Sequence, residues 1–168
     1  HNFFWEGKEP GGWSDDALWF IQALSRYISL TGDIDILNSE VLVAGTDKKR
    51  KIYDTIKAVI RYSAIISTGK HGLPLLDRAD WNDCLRIDVD SLNGPSKEKL
   101  YKEQIAPNND AIVPFESDYS ESVMNAFLLK VALDKTMIFA EQANDVSYIN
   151  ELQTLTDTLV NNIQKHTW

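Results

Sequence analysis

Ser14-Asp15-Asp16-Ala17-Leu18-Trp19-Phe20-Ile21-Gln22-Ala23-Leu24-Ser25-Arg26-Tyr27-Ile28-Ser29-Leu30-Thr31-Gly32-Asp33 reads as one helix with its start and stop signals attached. Ser14 is a good N-cap, and Asp15 and Asp16 place negative charge where the helix dipole favours it. Gly32 supplies the left-handed residue that ends a helix. Between these signals the apolar residues cover most of the circumference, which predicts a helix buried on nearly all sides.

The same periodicity returns three times. Ile52, Ile56, Val59, Ile60, Ser63 and Ile66 predict a second helix over about 47–67. Its early Lys48, Lys49, Arg50 and Lys51 read as a solvated face. Ser120 and Glu121 open a third helix, running to about Ala143 and again rich in buried positions. Asn144-Asp145 makes a tight connection to a fourth, ending near His166, whose stripe of Ile149, Leu152, Leu155, Leu159 and Ile163 is narrow. No strand alternation of any length is visible, and Ile34 to Gly45 reads as a connector. The fold class is therefore all-α, with two apolar-rich helices and outer partners.

Two stretches are irregular: residues 1–13, with paired glycines and Pro10, and residues 71–119, broken by Asn93-Gly94-Pro95, Pro107 and Pro114. A long irregular segment in a compact domain is usually functional or disordered. Its Ile112, Val113 and Phe115 favour a packed, functional excursion. It opens with His71-Gly72-Leu73-Pro74-Leu75-Leu76-Asp77-Arg78-Ala79-Asp80-Trp81-Asn82-Asp83-Cys84, which packs carboxylates around a Trp. A Trp face accepts the apolar side of a sugar ring, and a carboxyl beside it suits acid–base work on a glycosidic oxygen.

Composition narrows the partners. A net charge of −8 argues against a general nucleic-acid or anionic-membrane binder. The longest apolar runs are too short to span a membrane. Cys84 is the only cysteine, so no intrachain disulfide can form, which fits a cytoplasmic protein. Three His and one Cys offer no metal cluster, so neither metal nor cofactor is expected, and His71 is expected to make a loop hydrogen bond. The chain opens at His1 without a Met and closes at Trp168 in a helical pattern, which reads as a piece of a larger protein.

Gly12-Trp13-Ser14-Asp15-Asp16-Ala17-Leu18-Trp19, Thr31-Gly32-Asp33, His71-Gly72-Leu73-Pro74 and Asp80-Trp81-Asn82-Asp83 together resemble the catalytic domain of the glycoside hydrolase family 94 phosphorylases. Phe4-Trp5-Glu6-Gly7-Lys8-Glu9-Pro10-Gly11-Gly12-Trp13, with Cys84-Leu85, is most similar to the 1,2-β-oligoglucan phosphorylases. Lys8 and Pro10 stand where disaccharide phosphorylases carry arginines. The resemblance implies an (α/α)6 barrel, of which residues 1–168 would be a part, since twelve helices need about 350 residues.

The resemblance further implies inverting phosphorolysis of β-linked glucosides, β-1,2-glucooligosaccharides first, to α-glucose 1-phosphate. Phosphate is the nucleophile and Asp83 the general acid. Trp81 would wall the donor sugar and Asp16 would accept its hydroxyls. Trp13, Arg78 and Asp80 are further substrate candidates, although Asp80 also reads as a loop cap. The expected partners are a β-glucan oligosaccharide and phosphate, with a homodimer in the full-length protein. The phosphate-binding residues are expected beyond this chain. Alternatives are the phosphorylase-like part of a cyclic β-1,2-glucan synthase and a cellobiose or cellobionic-acid phosphorylase. An (α/α)6-barrel hydrolase would instead need a base from Glu9, Asp16, Glu116 or Glu121. A non-enzymatic helical module is the remaining alternative, but the chain shows no 30–45-residue repeat.

Overall fold

Helix α1 (Asp16–Thr31) starts where the amides of Leu18 and Trp19 first find the carbonyl of Asp15, at 2.9 and 3.0 Å. The start lies one residue later than the sequence suggests, because Asp15 rather than Ser14 occupies the N-cap. The stop is as expected: Gly32 adopts φ +73° and returns its amide to the carbonyl of Ile28. The computed structural model describes residues 14–43, 47–76 and 120–167.

A 3₁₀ turn (Ile34–Asn38) leads into a two-stranded antiparallel ribbon that the sequence pattern did not predict, β1 (Glu40–Leu42) with β2 (Lys49–Lys51). Its register sets Glu40 opposite Lys51 and the β-branched Val41 opposite Arg50. Opposite charges across a strand pair attract, and β-branched residues suit the pleat. The basic run is therefore solvated, as expected, but it is strand rather than the first turn of a helix.

Helix α2 (Ile52–Arg61) consequently begins later than predicted, and a single π turn (Tyr62–Ile66) extends it. Ile52, Ile56 and Ile60 repeat every fourth residue and are all buried. Helix α3 (Val123–Gln142) also begins later than predicted. Ser122, not Ser120, is its N-cap, accepting the amide of Asn125 at 3.1 Å. Asn144, in the left-handed region at φ +53°, turns the chain into α4 (Val146–His166). Asp145 caps α4 through the amide of Tyr148 at 3.2 Å.

Helix α3 is central, packing on α1, α2 and α4. Leu129, Ala132, Leu133 and Phe139 of α3 meet Leu18 and Ile21 of α1, Ile56 of α2 and Leu152 of α4 in one apolar core. Helices α1 and α3 are parallel. Their starts touch, Asn125 Nδ2 donating to Ser14 Oγ at 2.6 Å, and their far ends flank a shared groove of about 330 Å³ between Ile28 and Gln142. Helices α2 and α4 run the other way, since the end of α2 returns to the start of α3 and the end of α4 lies beside Gly72.

The far end is tied by Lys57, which pairs with Asp145 and lies 4.7 Å from the ring centres of both Tyr53 and Tyr148. A cation held over two aromatic faces adds attraction to the ion pair. The Lys57 ammonium keeps the Asp145 carboxyl below its ordinary range, and burial pushes the Tyr148 phenol up.

One expectation is only half met. Helices α1 and α3 bury one face and leave a second apolar stripe exposed: Trp19, Tyr27 and Leu30 on α1, Phe127, Val131 and Ile138 on α3. Each carries apolar residues for two contacts, and the described residues supply one. Helix α4 behaves as read, with Tyr148, Leu152, Leu159 and Ile163 buried along a single stripe.

Candidate functional site

Parallel α1 and α3 put two helix starts at one end of the molecule, and the ends of α2 and α4 come to the same place. From α2 the chain passes through Ser67 into a short hairpin closed by an isolated bridge between Thr68 and Pro74. Gly69 N donates to the carbonyl of Leu73 at 2.9 Å. Gly72 stands at φ +70°, where a Cβ would be strained and would also strike the side-chain nitrogen of Asn162 on α4.

The described residues on either side of 77–119 lie next to each other. Leu75 bridges to Glu121, Leu76 N donates to Ser120 O at 2.7 Å, and Ser122 N donates to Pro74 O at 2.8 Å. Residues 74–76 and 120–122 are thus paired in one antiparallel stem at the start of α3.

Glu121 fixes the stem a second time with its side chain. Its Oε1 accepts the amides of His71 at 2.8 Å and Leu73 at 3.2 Å. Its Oε2 lies 2.6 Å from His71 Nδ1, and its side chain is only 9% exposed. The loop hydrogen bond expected for His71 is therefore present. Glu121 is no free base: both carboxylate oxygens already hold the loop. This role could not be read from sequence, because its partners lie 50 and 48 residues away.

Beside His71 stands His166, the last residue of α4, with ring centres 4.6 Å apart. Partial desolvation, then the nearby His71 and Lys165, hold the His166 imidazole below its ordinary value, while Glu121 opposes them. A histidine whose folded pKa is lowered binds its proton more readily in the unfolded chain. Its contribution to stability is complete above about pH 6.5 and is lost as pH falls through the lower folded value. His166 thus contributes a loss of stability as pH falls from 7.5 to 5.5, so the urea midpoint is expected to drop less, or rise more, over that interval in His166→Asn than in the wild type. A pH dependence unchanged in the variant would remove His166 as a contributor.

At the start of α1 the two acidic residues divide their work. Asp15 is buried, 2% exposed, and its Oδ2 accepts Trp19 Nε1 at 2.9 Å. Asp16 is partly exposed in the first turn, at the end of the molecule where the stem emerges. Asn125, fully buried, joins the starts of α1 and α3 through Ser14, and its Oδ1 has no partner among the described residues. Asn125 carries no signal in the sequence, since a lone Asn in an apolar helix belongs to no motif. Trp13, Arg78, Asp80, Trp81 and Asp83 lie outside the described residues, as do Glu9 and Glu116. Of the expected site, the structure therefore describes Asp16 and the stem from which the Asp83 segment departs.

Among the described residues no group of three His, Cys, Asp or Glu could hold a metal ion, and no helix is long and apolar enough to cross a membrane.

Comparison with known proteins covers most of the chain. The family model described as Glycosyl hydrolase 94 superfamily, catalytic domain, matches residues 6–168. A 3-O-beta-D-glucopyranosyl-beta-D-glucuronide phosphorylase of Paenibacillus borealis is 24% identical over 155 residues, 92% of this chain and 17% of that protein. An N,N'-diacetylchitobiose phosphorylase of Vibrio furnissii is 25% identical over 155 residues, 92% of this chain and 15% of its own length. A cyclic beta-(1,2)-glucan synthase NdvB of Rhizobium meliloti is 33% identical over 86 residues, 42% of this chain and 3% of its own. The chain thus spans under a fifth of the length of the curated relatives it matches.

Proposed function

Because the chain belongs to the Glycosyl hydrolase 94 superfamily, whose catalytic domain is of the (α/α)6-barrel type, we propose that it forms part of a glycoside phosphorylase. The described residues contribute four helices to that barrel, and the second apolar stripes of α1 and α3 meet helices of the rest of it. The reaction is phosphorolysis of a β-linked glucoside to α-glucose 1-phosphate and a shortened saccharide. The observation that carries the reading is the match over residues 6–168, supported by a structure that pairs residues 74–76 with residues 120–122 at the end of the molecule where α1 starts.

In this reading Asp83 is the general acid. It protonates the departing glycosidic oxygen while phosphate attacks the anomeric carbon from the opposite face. Phosphate arrives as an anion, so no protein base is required, unlike the inverting hydrolases that activate water with a second carboxylate. The engagement of both Glu121 oxygens supports this choice, since it removes one of the carboxylates that could have served as that base. Trp81 stacks on the donor sugar and Asp16 accepts its hydroxyls. Trp13, Arg78 and Asp80 complete the sugar contacts. No metal or cofactor takes part, and the protein works in the cytoplasm.

The substrate we favour is a β-1,2-glucooligosaccharide. The support is the segment before Ser14, with Lys8 and Pro10, and the partial likeness to a synthase named for cyclic β-(1,2)-glucan. The test is turnover by the full-length protein on β-1,2-, β-1,3- and β-1,4-linked glucose oligomers, with and without inorganic phosphate. α-Glucose 1-phosphate released only with phosphate, and fastest from the β-1,2 series, is expected. Glucose release without phosphate would identify a hydrolase instead.

A further inference from the structure

We propose that Asn125 is a positioning residue for sugar binding: through Ser14 it sets the start of α1, and with it Asp16, against the start of α3. This rests on the reading above, since it presumes that Asp16 accepts hydroxyls of the sugar.

Asn125 is a polar residue where an apolar one would fit. It is fully buried, on a helix whose other buried residues include Ala126, Leu128, Leu129, Ala132 and Leu133. Its Oδ1 has no partner among the described residues. An unpaired buried carbonyl costs stability, and a leucine, with the same branching and no polar atom, would carry no such cost. What the amide supplies in return is one directional bond, from Nδ2 to Ser14 Oγ at 2.6 Å.

That bond adds register. Leu18 and Ile21 of α1 share a core with Leu129, Ala132 and Leu133 of α3, but apolar packing is non-directional and tolerates a slip along the helix axis. A single buried asparagine is enough to fix register between two helices. Asn125 is itself held: its backbone amide donates to Ser122 Oγ at 3.1 Å, and Ser122 N donates to Pro74 O at 2.8 Å. On the other side of the bond, Ser14 leads directly into Asp15, the N-cap, and Asp16, the first residue of α1. Asp15 is turned inward, 2% exposed, with its Oδ2 on Trp19 Nε1 at 2.9 Å. Asp16 is the more accessible carboxylate of the pair. A hydroxyl donating to a carboxylate sits within about 2.5–2.7 Å. A slip of one helical residue, about 1.5 Å, would take Asp16 out of that reach.

The test uses the full-length protein with phosphate and the glucose oligomer that it turns over fastest. Asn125→Leu is expected to raise KM for the oligomer about fivefold, while kcat stays within about twofold and KM for phosphate is unchanged. A merely structural loss would lower the active fraction, and so kcat, and leave KM alone. Asp16→Ala is expected to raise the same KM, and in that background Asn125→Leu should add nothing, because both act on one contact. Should Asn125→Leu fail to fold, two variants at Ser14 decide: Ser14→Ala, without the hydroxyl, should reproduce the raised KM, and Ser14→Thr, which keeps it, should not. Wild-type KM in a folded Asn125→Leu protein, additive effects with Asp16→Ala, or equal KM values for the two Ser14 variants would each overturn the proposal and leave the phosphorylase reading untouched. Wild-type KM in Asp16→Ala would overturn the proposal together with the role of Asp16. A wild-type protein with no phosphate-dependent turnover would overturn the phosphorylase reading as well.

Discussion

Asp83→Asn in the full-length protein is expected to lower kcat for phosphorolysis of a natural glucoside by about 10³-fold, within the range that general acid catalysis supplies. Asparagine matches aspartate in shape and keeps a hydrogen-bond donor, but its amide has no acidic proton to give. The departing sugar oxygen would then leave as a high-energy alkoxide. A nitrophenyl glucoside leaves as a stabilised phenolate and needs little help, so its kcat should fall far less. The two substrates, measured in parallel, separate loss of the acid from loss of structure. The acid must be protonated to act, so wild-type kcat should decline on the alkaline side and the variant should lack that limb. Equal losses on both substrates would mean that Asp83 does something other than protonate the leaving group.

The sequence was most informative where a residue has one dominant physical preference. Gly32 could be read as the end of α1 because only glycine takes its left-handed backbone without cost, and the structure places it at φ +73°. The stripe of α4 was readable because its apolar residues fall on a single face. The reading failed where two physical preferences compete. Lys49 to Lys51 suits a solvated helix turn or an edge strand equally, and pairing with Glu40, Val41 and Leu42 decides for strand. Ser120 and Ser122 are both good caps, but residues 120–122 pair with residues 74–76, so the helix starts only after Ser122, whose side chain accepts the amide of Asn125. The same holds for the site. The motif Asp80-Trp81-Asn82-Asp83 carries its expectation in its residue types and lies outside the described residues, whereas Glu121 could be read only as a helix start or as a candidate base. Its importance lies in a contact across 50 residues, which no local pattern encodes.

Gly69 offers the largest expected stability effect tied to this contact. Its φ lies outside the left-handed region, so alanine there meets no backbone strain, and any cost must be steric. The added methyl would press against Cγ of Glu121, 2.5 Å from Oε1 and 2.6 Å from Cδ. A side-chain end usually swings aside cheaply, but this one is held by two amides and an imidazole. Moving it strips the partly buried Leu73 amide of its acceptor, while the exposed His71 amide can turn to water. Gly69→Ala should therefore cost about 2 kcal/mol, near the cost of one unpaired buried donor plus one weakened bond. A double-mutant cycle with Glu121→Ala checks the cause as well as the size. With the Glu121 side chain gone, the methyl has nothing to strike, and Gly69→Ala should cost almost nothing more. The two losses should thus be strongly non-additive in urea unfolding. Additive losses would show that Gly69 is required for some reason other than the carboxylate packed against it.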